Sequence, residues 1–439
     1  MASATKEKFT KQEKSWILYD WANSVYATNI MAAIFPIYFT AVCGGDTTGM
    51  QWWGYGTSLA TLIVAVLAPI LGSLGDYKGM KKKFFTFFML IGVFCTLIMA
   101  IFDNWQMLLV GYVLSYIGFA GSCLFYDSFL TDVTTRERMD KVSAWGYAMG
   151  YIGGSTIPFL ISIGILLAMG MDNPTAVKLV VVLTSVWWGV FSIPMMRNVH
   201  QKYYLDGKPQ HMAAAAFTNV GRTLRSIVKN KGLFFYLIAY FCYIDGVGTV
   251  IHMSTSYGST LGLDTVGMIL ALLVTQIVAM PCSILFGRLA KKLGAVRMIG
   301  IAIVVYFLIC VVGFYMGYII EVDEQAIGTA QILFWMMAFL VGTVQGGIQA
   351  LSRSYFSRLV PPDKSNEYFG FFDIFGKFAT VVGPFLVAVV TGATGRSSFG
   401  ILSLLVLFAV GGLLLFLGRE PMKQSEAAAE QARRAAGEK

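Results

Sequence analysis

Long apolar runs recur throughout this 439-residue chain and restrict the folds that it can adopt. A bilayer core about 30 Å thick requires roughly 20 apolar residues for each helix that crosses it. Runs of this kind occur at 16–42, 52–74, 84–102, 106–130, 142–168, 177–196, 233–254, 264–286, 297–319, 327–352, 367–391 and 398–418. The sequence therefore predicts an all-α polytopic membrane protein with twelve transmembrane helices.

The composition excludes several classes of protein. Hydrophobic residues make up 56% of the chain and charged residues only 13%, whereas soluble domains carry about 25% charged residues. A soluble enzyme, a nucleic-acid-binding protein and a disordered scaffold are therefore excluded. The six cysteines and three histidines show neither a CxxC pair nor the spacing of metal ligands. We expect no disulfide framework, no metal site and no cofactor.

The basic residues are distributed unevenly between the loops. All but three of the 33 lysines and arginines lie in segments on the side of the N terminus, the exceptions being Lys178, Lys377 and Arg396. Cytoplasmic loops of membrane proteins carry such an excess. We therefore expect both termini to lie in the cytoplasm, which also requires an even number of spans.

A polar stretch divides the spans into two sets of six. The predicted units are an N-terminal bundle at 1–196, a cytoplasmic linker at 197–231, a C-terminal bundle at 232–421 and a cytoplasmic tail at 422–439. Residues 213–229 of the linker have the pattern of an amphipathic helix that lies on the membrane surface.

A short motif occurs at the same place in both halves. The chain reads GSLGDYKG at 72–79, after the second span, and GRLAKKLG at 287–294, after the eighth. Both copies have glycine, leucine, a charged residue and glycine at one spacing, and the glycines suit a tight turn between two helices. The repeat predicts related halves of the kind found in many transporters.

The first copy resembles the signature turn of the major facilitator superfamily, G-x-L-x-D-x-x-G-x-[RK]-[RK], with Met80 where arginine is usual. Residues 146–154 in span five are similar to the antiporter motif of that superfamily, with Tyr151 where proline is usual. The resemblance implies two six-helix bundles, a central cavity lined mainly by helices 1, 4, 7 and 10, and transport by alternating access.

A narrower resemblance rests on four further blocks. They are SWILYDWANS at 15–24, YIDGVGT at 243–249, QGGIQALSRSYF at 345–356 and EYFGFFDIFGK at 367–377. These blocks resemble the branch typified by the fungal vacuolar amino-acid effluxer. The resemblance implies movement of amino acids or related amphiphiles, with export favoured. Because the chain is compact with short loops, we expect a bacterial inner-membrane protein.

Polar residues within span one are candidates for substrate binding. Tyr19, Asn23 and Tyr26 are spaced to share one helix face, and Asp20 lies beside them. Aromatic rings, an amide and a carboxylate suit an amphiphilic substrate that carries an amine. Asp20 is only about one turn into the span, so an interfacial helix cap is the alternative.

Spans seven and ten contribute further candidates, which are Tyr243, Asp245, Thr249, Gln345 and Gln349. An ionisable residue near the middle of a bilayer costs at least about 2.5–3.5 kcal/mol, so Asp245 requires a partner or a function. The alternative for the amides is hydrogen bonding that only holds helices together, worth about 0.6 kcal/mol.

Lys377 is expected to lie as deep in the membrane as Asp245. It is about ten residues, or roughly 15 Å, into span eleven. A pair between the two residues would remove much of the cost of a buried ammonium. Asp373, four residues earlier on the same helix, is a rival partner. The pair either binds the substrate or exchanges a proton, or it is a static bridge between two helices.

A gate is expected where the basic loops meet the two bundles. Its candidate residues are Gly72, Asp76, Gly79, Asp127, Lys291 and Arg353. The alternative for the charged members is a solvated surface role.

Together these features predict a secondary-active transporter for a small solute. Protons are the candidate coupling ion, the protein works in a lipid bilayer without a nucleic-acid partner, and we expect a monomer. The alternatives are a proton-coupled porter of drugs, sugars or organic anions, and a non-transporting receptor on the same fold. An intramembrane enzyme would need paired catalytic aspartates, a His-rich metal site or a Ser–His dyad. The sequence offers none of these at suitable spacing, so we do not expect an enzyme.

Overall fold

The computed structural model describes residues 8–44, 47–171, 173–207, 212–378 and 381–435, and these residues contain helices but no β-strand. The first half comprises α1 (Lys11–Tyr26), α2 (Phe35–Val42), α3 (Thr47–Gly75), α4 (Met80–Met99), α5 (Trp105–Ser128), α6 (Leu130–Val133), α7 (Met139–Met149), α8 (Ile157–Met169) and α9 (Pro174–Asn198). The linker helix α10 (Met212–Lys229) and the second half follow, with α11 (Lys231–Thr260), α12 (Thr265–Leu293), α13 (Ala295–Val322), α14 (Ile327–Leu359), α15 (Ser365–Phe378), α16 (Val382–Thr394), α17 (Ser397–Ser403), α18 (Leu405–Leu417) and α19 (Arg419–Ala435).

The all-α membrane fold is confirmed. Within the described residues, ten helices are long and apolar enough to cross a membrane, and the bent pair Lys11–Ala33 and Phe35–Val42 adds an eleventh. The predicted eleventh span is divided into α15 and α16, on either side of residues 379–380, which lie outside the described residues. The predicted count of twelve is therefore reached only if α15 and α16 form one span.

Two of the spans are broken by π-helical segments. Ala27–Ala33 separates α1 from α2, and Gly150–Thr156 separates α7 from α8. Pro36 and Pro158 follow in the first turn of the next helix, where a missing backbone N–H costs nothing. The second segment packs against α12 of the second half, and π-segments of this kind are frequent at functional sites.

The glycines that end the repeated motif explain part of the repeat. Gly79 has φ 73° and Gly294 has φ 87°, and the helices α4 and α13 begin directly after them. Residues with a Cβ are strained in this left-handed region. A positive φ therefore favours glycine at the same place in each half, although the two turns differ in ψ, which is −2° at Gly79 and 145° at Gly294.

Both ends of the described chain lie on one side of the fold. Arg138, in the loop before α7, binds Glu13 of α1 at 2.7 Å. Its neighbour Arg136 binds Glu426 of α19 at 2.6 Å. We call this side the terminal side. The halves pack against each other through α15 on α3, and through α7 on α12 and α14.

Candidate substrate cavity and gate

Arg353 of α14 lies where the two halves meet. Its Nη1 donates to Asp127 Oδ1 at 2.8 Å, and its Nη2 is 3.4 Å from Asp20 Oδ2. Its Nε donates to Ser143 Oγ at 3.0 Å. The Arg353 side chain is only 3% exposed, and an unpaired cation would be costly at such a site. Residues from α1, α5 and α7 of the first half thus hold one cation of the second half.

Aromatic rings complete the surroundings of this guanidinium. Its carbon lies 4.5 Å from the ring centre of Tyr147, 4.7 Å from that of Trp16 and 5.3 Å from that of Tyr126. A cation over ring faces is attracted by their quadrupoles. A Cβ on Gly146 would lie 2.5 Å from Asp20 Oδ2. Glycine there allows α7 to approach the ion cluster.

A cavity of about 250 Å³ lies directly beside the Arg353 cluster. Its polar lining consists of Asp127, Tyr147, Tyr240, His252, Gln349, Arg353 and Asp373. Ligand pockets typically measure about 300–1,000 Å³, so this cavity suits a small solute. Because carboxylates, a guanidinium and phenol rings share its wall, the solute can present both charges and an apolar part.

Asp76 joins the repeated turn of the first half to α15 of the second. Its carboxylate accepts hydrogen bonds from Asn366 N at 2.9 Å, Asn366 Nδ2 at 2.8 Å and Glu367 N at 3.1 Å. These donors belong to the first turn of α15, where the helix dipole favours a negative charge. Burial nevertheless raises the pKa of the Asp76 carboxyl to about 8, although Lys81 and the N–H donors lower it.

Lys81 forms a second link across the terminal side. Its Nζ donates to Asp132 Oδ2 at 2.7 Å and to Ser365 Oγ at 2.9 Å, and both members of the ion pair are fully buried. Ser365 is the first residue of α15, whereas Asp132 lies in α6 of the first half. The ion pair therefore joins two helices of the first half, and its lysine also binds the second half.

A third link joins α7 to α14. Ser354 Oγ donates to Asp140 Oδ1 at 2.5 Å, and Arg358 Nη1 donates to Asp140 Oδ2 at 3.1 Å. Ser143 Oγ donates to the Ala350 carbonyl at 2.8 Å. Together with the Asp76 and Lys81 links, these contacts close the central cavity towards the terminal side.

The C-terminal helix α19 packs beside the contacts that close the cavity on the terminal side. Arg136 of the first half binds both Glu426 and Glu430, and Arg358 Nε of the second half is 3.6 Å from Glu426 Oε1. Arg433 Nη2 donates to the Ser357 carbonyl at 2.7 Å. One helix thus connects both halves on the terminal side, a role that the sequence did not indicate.

The predicted binding residues of span one lie mostly inside the first bundle. Tyr19 is fully buried and donates to Ser122 Oγ at 2.8 Å, and Tyr26 shares a 2.7 Å hydrogen bond with Ser115 Oγ. Asn23 is buried, and its Nδ2 has no hydrogen-bond partner among the described residues. None of these three residues lines the cavity in this conformation; Asp20 instead contacts Arg353.

Of the predicted binding residues of spans seven and ten, one lines the cavity and the others are buried outside its lining. Gln349 lines the cavity. Tyr243 shares a 2.7 Å hydrogen bond with Ser352 Oγ, and both carboxylate oxygens of Asp245 accept from Gly383 N at 3.0 Å. The remaining two predicted residues, Thr249 and Gln345, are also buried. The expected partner of Asp245, the side chain of Lys377, lies outside the described part of the structure.

The predicted gate residues do not form a single cluster. Arg353 binds Asp127, and a Cβ on Gly72 would lie 2.5 Å from the Asn366 carbonyl, so glycine permits the close approach of α3 to α15. Lys291, the counterpart of Asp76 in the second half, is exposed.

The cavity also contains residues that the sequence did not mark as binding residues. Tyr147, Tyr240 and Asp373 line it. Tyr147 directly follows Gly146 of the antiporter-like motif, and this position could have marked Tyr147 as a candidate binding residue.

Comparison with known proteins agrees with this architecture. A family model described as vacuole effluxer Atg22 like matches residues 52–134 and 131–428. The uncharacterized MFS-type transporter YxiO of Bacillus subtilis (strain 168) is 46% identical over 420 residues, which are 93% of this chain and 95% of that protein. Autophagy-related protein 22-1 of Penicillium rubens is 26% identical over 291 residues, which are 63% of this chain and only 48% of that relative.

Solved structures show the same fold at low sequence identity. A bacterial homologue of the iron transporter ferroportin, in an outward-facing state, has a TM-score of 0.70 and 11% identity, with 93% of this chain and 98% of that chain covered. The fucose:proton symporter FucP of E. coli has a TM-score of 0.66 and 14% identity, with coverage of 93% and 97%.

The resemblance to the major facilitator superfamily is therefore confirmed, and the protein is a membrane transporter of this type and not an enzyme. The family model covers most of the chain, and the Bacillus subtilis relative is similar along nearly its whole length. On these grounds, the chain belongs to the family of vacuole effluxer Atg22-like proteins.

Proposed function

We propose that this protein exports amino acids, or closely related small zwitterions, by alternating access, and that the Arg353 cluster is both substrate site and gate. The observation that carries the proposal is the position of the Arg353–Asp127 ion pair, which joins the two halves and also lines the cavity.

The cavity wall supports a zwitterionic substrate. Arg353 supplies a guanidinium that suits a carboxylate, and the Asp127 carboxylate suits an ammonium group. The rings of Tyr147 and Tyr240 offer apolar surface and ring faces beside these charges. An amino acid carries both charged groups on one carbon atom, so it can approach both partners of the ion pair at once.

Competition for this ion pair supplies a mechanism for opening. A substrate that binds Asp127 and Arg353 replaces the attraction between the halves with contacts to itself. A ligand shifts a conformational equilibrium only by its difference in affinity between the two states. The open state is then favoured when the substrate can satisfy both charges better than they satisfy each other.

Location and coupling complete the proposal. We place the terminal side in the cytoplasm of a bacterium, with the protein in the inner membrane as a monomer. Protons are the proposed coupling ion, because Asp127, Asp373 and His252 all line the cavity and carboxylates and imidazoles form the proton relays of many transporters.

Uptake and counterflow in proteoliposomes, with a panel of amino acids and with or without a pH gradient, test this function. We expect saturable counterflow of at least one amino acid, its loss in Asp127→Asn, and its retention in Lys292→Gln, which changes an exposed lysine. Counterflow of sugars, drugs or organic anions alone would contradict the substrate class. Binding without any flux would identify a receptor.

A further inference from the structure

A basic groove lies on the terminal side of the first half, apart from the central cavity. It has a volume of about 700 Å³ and is bordered by Lys78, Lys82, Lys83 and His200. No carboxylate is among the described residues that line it. Three lysines therefore face one space without a countercharge from its wall, and Lys82 Nζ lies 3.2 Å from Nδ1 of the His200 ring.

The backbone of the groove also favours an anion. Gly79 is the N-cap residue of α4 and offers no side-chain cap to the N–H groups of the first turn. The N-terminal end of a helix carries partial positive charge and attracts phosphate groups. Thr86, one turn beyond Lys82, adds a hydroxyl to the wall.

An exposed apolar stripe leads from the groove along α4. Phe87 is 56% exposed, Leu90 53% and Phe94 62%, and their spacing continues the helix face that begins at Lys83. Phe87 and Leu90 also line the groove itself. In a membrane this face contacts acyl chains, so cations and lipid-facing surface are continuous.

We propose that this groove binds an anionic phospholipid, with the phosphate of its headgroup among Lys78, Lys82 and Lys83 and one acyl chain along Phe87 and Leu90. Clusters of lysine beside a membrane helix recognise anionic lipids. A soluble phosphate would satisfy the cations but would leave the adjoining apolar stripe unused, which favours the lipid as the source of the anion.

The turn that borders the groove also carries the gate residue Asp76. Gln201, which lines the groove, accepts from Gly79 N at 2.8 Å and donates to the Gly75 carbonyl at 3.2 Å. Leu205 N donates to the Asp76 carbonyl at 2.8 Å. A bound lipid thus steadies the turn that presents Asp76 to α15.

Native mass spectrometry of the purified full chain, titrated with dioleoylphosphatidylglycerol or dioleoylphosphatidylcholine, tests the site. The groove variant is K78Q/K82Q/K83Q. The matched control, R288Q/K292Q/R297Q, removes three exposed cations from the corresponding turn of the second half. We expect selective binding of phosphatidylglycerol by the wild type, on the order of 100-fold weaker binding by the groove variant, and little change in the control.

Three results would overturn the proposal. They are equal losses in the groove variant and the control, equal binding of phosphatidylcholine, and displacement of the lipid by millimolar inorganic phosphate. If the triple groove variant does not fold, Lys83→Gln compared with Lys292→Gln provides the same contrast at exposed positions. A second triple variant, K78R/K82R/K83R, should retain binding, because it preserves the three charges.

Discussion

Arg353 of the second half and Asp127 of the first are joined by a 2.8 Å ion pair that also forms part of the cavity wall. A contact that holds the halves together therefore faces the space that a solute would occupy. The other terminal nitrogen of the guanidinium, Nη2, lies 3.4 Å from Asp20 Oδ2. The cluster contains two carboxylates for one cation, so loss of the cation leaves two like charges facing each other.

Arg353→Gln is expected to abolish counterflow and to destabilise the protein. Removal of one partner from a buried ion pair costs about 3–5 kcal/mol. Arg353→Lys should recover stability in part but not full flux, because an ammonium lacks the fork that binds two acceptors at once. Counterflow and thermal unfolding of the two variants check this. Flux at the wild-type level in Arg353→Gln would refute the gate role.

Acidification should favour the conformation that is closed on the terminal side. The Asp76 carboxyl has a pKa of about 8 in this state, whereas its ordinary pKa is 3.8, which we expect it to approach when opening exposes it to water. The closed state therefore binds more protons between these two values. Its stabilisation is present at low pH and is lost as the pH rises through about 8.

Spin labels at the exposed positions Lys83 and Lys292 measure this equilibrium as a distance across the terminal side. The short-distance population should grow as the pH falls from 8 to 5. Asp76→Asn resembles the protonated carboxyl, so it should slow transport, preserve the yield and remove the pH dependence. A growing long-distance population at low pH would contradict the assignment to Asp76.

Loosening of α19 should favour opening of the terminal side. Glu426→Gln combined with Glu430→Gln removes both carboxylates that bind Arg136. The matched control is Glu420→Gln with Lys423→Gln, a pair on the same helix whose side chains are 74% and 68% exposed; exposed pairs contribute little. We expect a larger long-distance population with the same labels in the first variant alone. Identical distributions in both variants would leave α19 without a role in the gate.

The sequence predicted the spans well because each depends on local hydropathy. The second span, predicted at 52–74, corresponds to α3, and the amphipathic segment predicted at 213–229 corresponds to α10. The repeated glycines were also detectable, because the conformation of a turn depends on its own residues.

The cavity was less predictable because its lining depends on which helix faces meet. Helical spacing placed Tyr19 and Tyr26 on one face, yet that face packs within the bundle and its hydroxyls bind serines. Periodicity cannot distinguish a polar face that meets a cavity from one that meets a neighbouring helix. Asp76 likewise binds backbone N–H groups of Asn366 and Glu367, a contact without any side-chain pattern in the sequence.

Both termini and α19 are expected on the cytoplasmic side. In a cysteine-free variant, Lys423→Cys should resist an impermeant thiol reagent applied to whole cells. Asp103→Cys, in the loop between α4 and α5 and 77% exposed, should react. The reverse pattern would overturn the topology.

The last prediction concerns Asp245, whose carboxylate accepts from Gly383 N near the start of α16. This contact joins α11 to the second part of the divided span, and a carboxylate at a helix N-terminus is stabilised by the dipole. The predicted pair with Lys377 would place a cation at the same carboxylate. Asp245→Asn and Lys377→Met should each abolish counterflow, whether the pair binds substrate or only bridges two helices. Recovery of flux in the double variant would show that the charges serve only each other, whereas a stable but inactive double variant supports a role in substrate or proton binding.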